Sequence, residues 1–167
     1  GEGTGKTTDK KVYDWTFKMG VNKVDKNEKP LIGAKFVLSK SGTLKVADLK
    51  CDETGTPTVT TGLTGLVKVK DGEYRVALTS DTDIVYAIDA GQLVIKGLDD
   101  SVNYYLYETK APAGYNLLSE PVSFRIAAGY SEDGNTLKEG YPIVTVGTGE
   151  PSTSLSADVV NQSGAEL

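Results

Sequence analysis

Three segments of this 167-residue chain alternate apolar and polar residues as β-strands do, and each apolar row ends in a strongly polar residue. In a strand, residues two apart lie on the same face. The rows are Met19, Val21 and Lys23; Tyr104, Leu106 and Glu108; and Leu155, Ala157, Val159 and Asn161. Lysine, glutamate and asparagine side chains are seldom fully buried without a partner. We therefore expect Lys23, Glu108 and Asn161 to contact one another in the core.

Such a cluster has a defined chemistry. Burial favours the neutral forms, so it lowers the pKa of a lysine and raises that of a glutamate. The neutral Lys23 amine could then attack the side-chain carboxamide carbon of Asn161 and expel ammonia. Glu108 would act as the acid and base that polarises the carboxamide and moves the proton. The product is an amide cross-link made once per molecule, so the chain is not predicted to be an enzyme with turnover.

Simpler interpretations of the same pattern remain open at this point. Lys23 and Glu108 could form a buried ion pair, or their side chains could reach solvent at the strand ends. Asn161 lies six residues from the last residue of the sequence and could belong to a frayed tail.

The composition and the spacing of turns predict an all-β fold. Glycine, threonine and valine are frequent, and no long segment has helical periodicity. Short strands separated by polar turns predict an immunoglobulin-like β-sandwich with long loop insertions. The expected strands cover about residues 12–24, 31–40, 64–70, 73–79, 84–88, 92–97, 103–109, 121–127, 141–147 and 154–161.

One domain is expected over residues 11–163, after a disordered tail at residues 1–10. The stretch 41–63 is rich in Ser, Thr, Gly, Asp and Pro and is expected to leave the core, with either a short hairpin or a helix. Residues 131–140 form another expected loop. Phe36 and Phe124 lie on apolar rows of their strands, and we expect them to wall the reactive pair or simply to fill the core.

Several classes of function are disfavoured. A net charge of −5 gives no basic surface for nucleic acid or an anionic membrane, and no apolar run could span a bilayer. The absence of histidine excludes Ser-His-Asp and Cys-His catalysis. The single cysteine, Cys51, excludes an internal disulfide. Acidic clusters lack the spacing of a calcium loop, so we expect no metal and no cofactor.

Three motifs resemble one known family. The segment KVDKNEKPLIGAKFVL, which begins at Lys23, resembles the opening strand and hairpin of collagen-adhesin B-type (CnaB) domains of Gram-positive surface proteins. The segment YYLYETKAPAGY, from Tyr104 to Tyr115, resembles the E-box of that family, and the Val-Val-Asn ending at Asn161 resembles its closing strand. In that family a lysine, the E-box glutamate and an asparagine form an intramolecular isopeptide bond. The resemblance implies these roles for Lys23, Glu108 and Asn161.

The resemblance also implies a setting outside the cell. It favours the C-terminal domain of a major (backbone) pilin in a cell-wall-anchored pilus, joined by sortase to neighbouring subunits. Residues 164–167 would then lead into a Leu-Pro-x-Thr-Gly sorting signal, with Leu167 as its first residue. No intact signal and no convincing lysine for intersubunit linkage is visible.

Two other functions compete with the shaft interpretation. The first is an adhesin or ancillary pilin domain that binds a host extracellular-matrix protein through loops such as 41–63 or 129–140. The second is a hydrolase that uses two carboxylates, such as Glu108 with Asp25 or Asp158, and that requires a ligand-sized cleft at Glu108.

Overall fold

The structure, a computed structural model, describes residues 15–164. The expected tail at residues 1–10, residues 12–14 of the first expected strand and residues 165–167 lie outside the described residues. Within them the strands are β1 (Phe17–Val24), β2 (Ala34–Ser39), β3 (Leu66–Lys70), β4 (Glu73–Val76), β5 (Ala87–Ala90), β6 (Gln92–Leu98), β7 (Asn103–Lys110), β8 (Val122–Ala127), β9 (Ile143–Val146) and β10 (Ser156–Val160).

The strands form two five-stranded sheets, with the orders β10-β1-β6-β4-β3 and β5-β2-β7-β8-β9. The alternating apolar rows of both sheets are buried in one shared cluster. A single four-residue 3-10 helix, Val46–Leu49, accompanies the strands in the described part of the chain. The predicted all-β sandwich is confirmed.

The first and last strands are neighbours. β1 pairs with β10 in parallel, with Lys23 opposite Val159, and with β6 in antiparallel register on its other side. Because β1 and β10 run in the same direction, their last residues lie at the same end of the sandwich. Glu108 lies on β7, in the opposite sheet.

The strand expected at 84–88 is placed incorrectly. Val85 instead forms an isolated bridge with Leu66, through main-chain hydrogen bonds of 2.8 Å in both directions. The chain then changes sheets, and Ala87–Ala90 pairs with β2. The apolar run around Val85 shows that this segment is extended, but it carries no information about which sheet each half joins.

Residues 41–63 cover the outer face of β2 and β7. The 3-10 helix lies in this stretch, and its Leu49 packs in a second buried cluster with Val37 and Tyr107. The Tyr107 hydroxyl donates to Ser41 O at 2.6 Å and accepts from Leu44 N at 3.2 Å. The middle of β7, from Leu106 to Glu108, is therefore buried on both faces.

Candidate functional site

Lys23 ends the inward row of β1. Its side chain is fully buried, and Nζ donates a hydrogen bond of 2.7 Å to the main-chain oxygen of Val159 on β10. The amine is therefore held by the strand that carries the proposed acyl donor, two residues before Asn161.

Glu108 enters the site from the opposite sheet. Only 1% of its surface is exposed, and the register of β2 and β7 places it opposite Phe36. Its Oε1 accepts hydrogen bonds of 2.9 Å from Leu118 N and from Asn161 Nδ2. The carboxyl group therefore bridges the two sheets rather than pointing to solvent.

Asn161 directly follows β10 and is 1% exposed. Its main-chain nitrogen donates to Val24 O at 3.2 Å, which continues the pairing with β1. Its side-chain nitrogen donates to Glu108 Oε1 and, at 2.8 Å, to Asn116 O. The residue is thus built into the core rather than frayed. The structure thus brings Asn161 into contact with Glu108 and holds Lys23 Nζ on Val159 O of the neighbouring strand. The chemical roles of the three residues stay predictions.

Burial shifts the pKa values of Lys23 and Glu108 in the directions that favour their neutral forms. Loss of hydration lowers the pKa of Lys23 from 10.5 to about 8, against the opposing charge of Glu108. Burial raises the pKa of Glu108, against opposing hydrogen bonds from Asn161 and Leu118 and the charge of Lys23. Both shifts make the neutral amine of Lys23 and the protonated acid of Glu108 more accessible than they are in water.

Two buried oxygen atoms of the site have no hydrogen-bond partner among the described residues, Glu108 Oε2 and Asn161 Oδ1. Buried polar atoms are usually satisfied, so such atoms need an explanation. A protonated Oε2 is a donor and Oδ1 is an acceptor, so the two atoms are complementary in type. This agrees with a glutamic acid that polarises the carboxamide.

The two phenylalanines occupy different positions. Phe36 lies directly opposite Glu108, whereas Phe124 lies opposite Tyr104 and stacks on its ring at a centroid distance of 5.4 Å. Phe124, on β8, therefore pairs with a β7 residue that lies four positions before Glu108. Phe124 is buried in the shared core, and its role as a wall of the reactive pair stays a prediction.

Sequence analysis missed Asn116 and Leu118, which contact Asn161 and Glu108 through main-chain atoms. Both residues lie in the loop between β7 and β8. Main-chain contacts leave no trace in the pattern of residue types. No signal in the sequence could have identified them.

The carboxylates of the hydrolase interpretation are elsewhere. Asp25 accepts from the main-chain nitrogens of Asn27 and Lys29 and so closes a turn. Asp158 is exposed and accepts from Asn22 Nδ2. A cavity of about 440 Å³ borders Glu108, but neither aspartate lines it. Neither Asp25 nor Asp158 is therefore paired with Glu108.

In residues 15–164, no group of three or more Asp, Glu or Cys side chains could hold a metal ion. Cys51 is a free, partly buried thiol. No helix in the same range is long and apolar enough to cross a membrane.

The lowered pKa of Lys23 gives a testable pH dependence in a variant that cannot cross-link. Between pH 8 and 10.5 the unfolded Asn161→Ala chain binds the lysine proton and the folded chain does not. Its free energy of unfolding should therefore rise with pH, relative to Asn161→Ala/Lys23→Met, by about 3 kcal/mol across this range. Urea unfolding of both variants from pH 7 to 10.5 measures this difference. A constant difference would show that Lys23 is not desolvated.

The sequence matches one family profile. The family is described as "SpaA: Prealbumin-like fold domain", and the matches cover residues 17–81 and 65–139, which together are more than half of the chain. A search of curated protein sequences finds no significant match.

The chain is similar to solved structures of pilins. The shaft pilin spaA from Lactobacillus rhamnosus GG matches with a TM-score of 0.50 and 17% identity, over 92% of this chain and 48% of that protein. Its C-terminal domain matches with a TM-score of 0.48 and 17% identity, over 90% of this chain and 99% of that one. The group B streptococcus pilus 2b backbone protein matches with a TM-score of 0.43 and 21% identity, over 88% and 41%.

At these identities the likeness to the shaft pilin shows the fold alone. The chain spans about half the length of that pilin. The predicted resemblance to domains of Gram-positive pilins is confirmed at the level of fold and family, and the CnaB subtype stays a prediction.

Proposed function

The chain belongs to the SpaA prealbumin-like fold domain family, and from this premise we propose that it is a structural domain of a major pilus subunit, stabilised by a self-formed isopeptide bond between Lys23 and Asn161. The pilus belongs to a Gram-positive bacterium, is extracellular and is anchored to the cell wall. The partners are neighbouring pilin subunits linked by sortase, with this domain at the C-terminal end of its subunit.

The observation that supports the proposal is the buried hydrogen bond of Asn161 to Glu108, with the buried amine of Lys23 held on Val159 O, two residues before Asn161. A buried ion pair alone would not need Asn161, which nevertheless donates to Glu108 at 2.9 Å. A nucleophile, an acid of raised pKa and an acyl donor are the three groups that amide formation requires.

The proton count of the site suits the reaction. A neutral amine with a neutral acid holds as many protons as an ammonium with a carboxylate. Transfer of one proton from Lys23 to Glu108 therefore produces the reactive state without exchange with solvent. The shifts of both pKa values favour that transfer.

The position of the cross-link explains why a shaft domain would use it. β1 and β10 are parallel neighbours, and Lys23 and Asn161 lie near the ends of these strands at the same edge. Tension on the two ends of the domain would pass along β1 to Lys23, across the bond to Asn161 and out of the domain. The residues between them would carry no load.

The cross-link also predicts a large thermal effect. Lys23 and Asn161 lie 138 positions apart. By analogy with disulfides, closing a loop of that length stabilises the fold by about 5 kcal/mol. The double variant Lys23→Met/Glu108→Gln should therefore unfold about 10–20 °C lower in calorimetry.

The same double variant separates the cross-link from a simple ion pair. Replacing both members of a buried pair by neutral residues of similar size is often neutral or stabilising. An unchanged or raised unfolding temperature would therefore support the ion pair and contradict the cross-link. The double variant Lys18→Met/Glu120→Gln makes the same two changes at separate exposed positions and serves as the matched control. Its unfolding temperature should equal that of the wild type.

The shaft role is tested against the adhesin role by binding. The isolated domain should not retain collagen, fibronectin or fibrinogen in a solid-phase assay. Saturable retention of one of these matrix proteins, lost when residues 41–63 or 129–140 are altered, would favour the adhesin interpretation.

A further inference from the structure

The loop between β7 and β8, residues 111–121, is tied to the segment that follows β10, and we call this loop the strap. Asn116 N donates to Gln162 O at 3.0 Å, and Gly164 N donates to Gly114 O at 2.8 Å. The Asn116 side chain adds a bond of 3.3 Å to Ser163 O. The strap therefore forms a short antiparallel pairing with the residues immediately after Asn161.

The strap also fixes the orientation of the Asn161 side chain. The side-chain nitrogen carries two hydrogens, and these are directed to Asn116 O at 2.8 Å and Glu108 Oε1 at 2.9 Å. A carboxamide turned by 180° would place Oδ1 against the carbonyl oxygen of Asn116, with no hydrogen between two acceptors. The main-chain carbonyl therefore decides which end of the carboxamide faces the strap.

The acid is oriented by the same loop. Leu118 N, two residues beyond Asn116, donates to the Glu108 oxygen that accepts from Asn161. The side-chain nitrogen of Asn161, the atom that would leave as ammonia, is thus enclosed by one acceptor from the strap and one from Glu108.

We propose that the main-chain carbonyl of Asn116 is a positioning group for isopeptide formation, which holds the leaving nitrogen of Asn161 towards Glu108. This inference rests on the proposed cross-link. It assigns the strap, beyond its structural pairing, a part in the reaction.

The reaction balances within the site. A bond forms between Lys23 Nζ and Asn161 Cγ, and the bond from Cγ to Nδ2 breaks. The amine gives up one proton and Nδ2 gains one, which Glu108 relays, so that ammonia leaves and no co-reactant is needed. Until the bond breaks, the hydrogen bond to Asn116 O keeps Nδ2 on the side of the acid.

A single main-chain substitution tests the contact. Replacing Leu117 by its α-hydroxy acid during cell-free translation turns the Asn116–Leu117 amide into an ester, whose carbonyl is a weaker acceptor. Within the described residues Leu117 N makes no hydrogen bond, so no other contact is lost. We expect the bond to form about tenfold more slowly, followed as loss of ammonia by intact-mass spectrometry over time.

The matched control is the same ester at Ser119, in the same strap. In the described part of the chain neither Ser119 N nor Leu118 O takes part in a hydrogen bond. This ester should leave the rate unchanged. In an Asn161→Ala background, which lacks the carboxamide, the esters at 117 and 119 should give the same unfolding temperature.

The outcomes are distinct. Equal rates for the amide chain and the Leu117 ester, equal slowing by both esters, or a lower unfolding temperature for the Leu117 ester in the Asn161→Ala background would each overturn the positioning role. No loss of ammonia from the all-amide chain would instead overturn the proposed cross-link itself.

Discussion

When the wild-type domain is pulled from its two ends, the residues between Lys23 and Asn161 should not unfold and should add no length. The bond would transmit tension from β1 to the end of β10, so those residues stay folded at any force that leaves covalent bonds intact. The Lys23→Met variant, which lacks the amine, should instead unfold and lengthen by about 450 Å, the contour length of a segment of that size. Single-molecule force spectroscopy measures both lengths.

The control for this experiment is Lys18→Met. Lys18 lies on the exposed face of the same strand, so its variant should resist extension as the wild type does. Asn161→Ala should behave as Lys23→Met does. A wild-type domain that releases the full length under force would show that no covalent bond closes the loop.

Replacing Glu108 by Gln should slow bond formation by at least about a hundredfold, the low end of what general acid–base catalysis contributes. Glutamine keeps the volume and an oxygen that can accept from Leu118 N and Asn161 Nδ2. It lacks the carboxyl proton, so it cannot relay a proton from the amine to the leaving nitrogen. Folded chains that have not lost ammonia, and whose mass equals that of the sequence, should therefore accumulate.

The matched variant is Glu120→Gln. Glu120 is exposed and lines the same cavity as Glu108, so the change removes a nearby charge without touching the buried site. Its rate should equal that of the wild type. A Glu108→Gln chain that cross-links at the wild-type rate would remove Glu108 from the mechanism.

Alternation along the strands was sufficient to predict which side chains point inward. Lys23, Glu108 and Asn161 each follow apolar residues at a spacing of two, and all three are buried. The pattern reports the face of a strand, because the side-chain period of a strand is two. It therefore predicts the burial of all three side chains, which the structure shows.

The arrangement of strands and loops cannot be predicted from alternation along the sequence. Alternation does not say that β1 lies beside β10, or that the segment around Val85 crosses between the sheets. The contacts of Asn116 and Leu118 use main-chain atoms, which every residue has. Such features depend on contacts between distant parts of the chain, and residue types do not encode them locally.

Intact-mass spectrometry of the purified wild-type chain tests the central claim most directly. The account predicts a mass lower than that of the sequence by one ammonia, with the loss located by fragmentation in a peptide pair that joins Lys23 to Asn161. A mass equal to that of the sequence, in a correctly folded sample, would contradict the covalent link and leave only the fold.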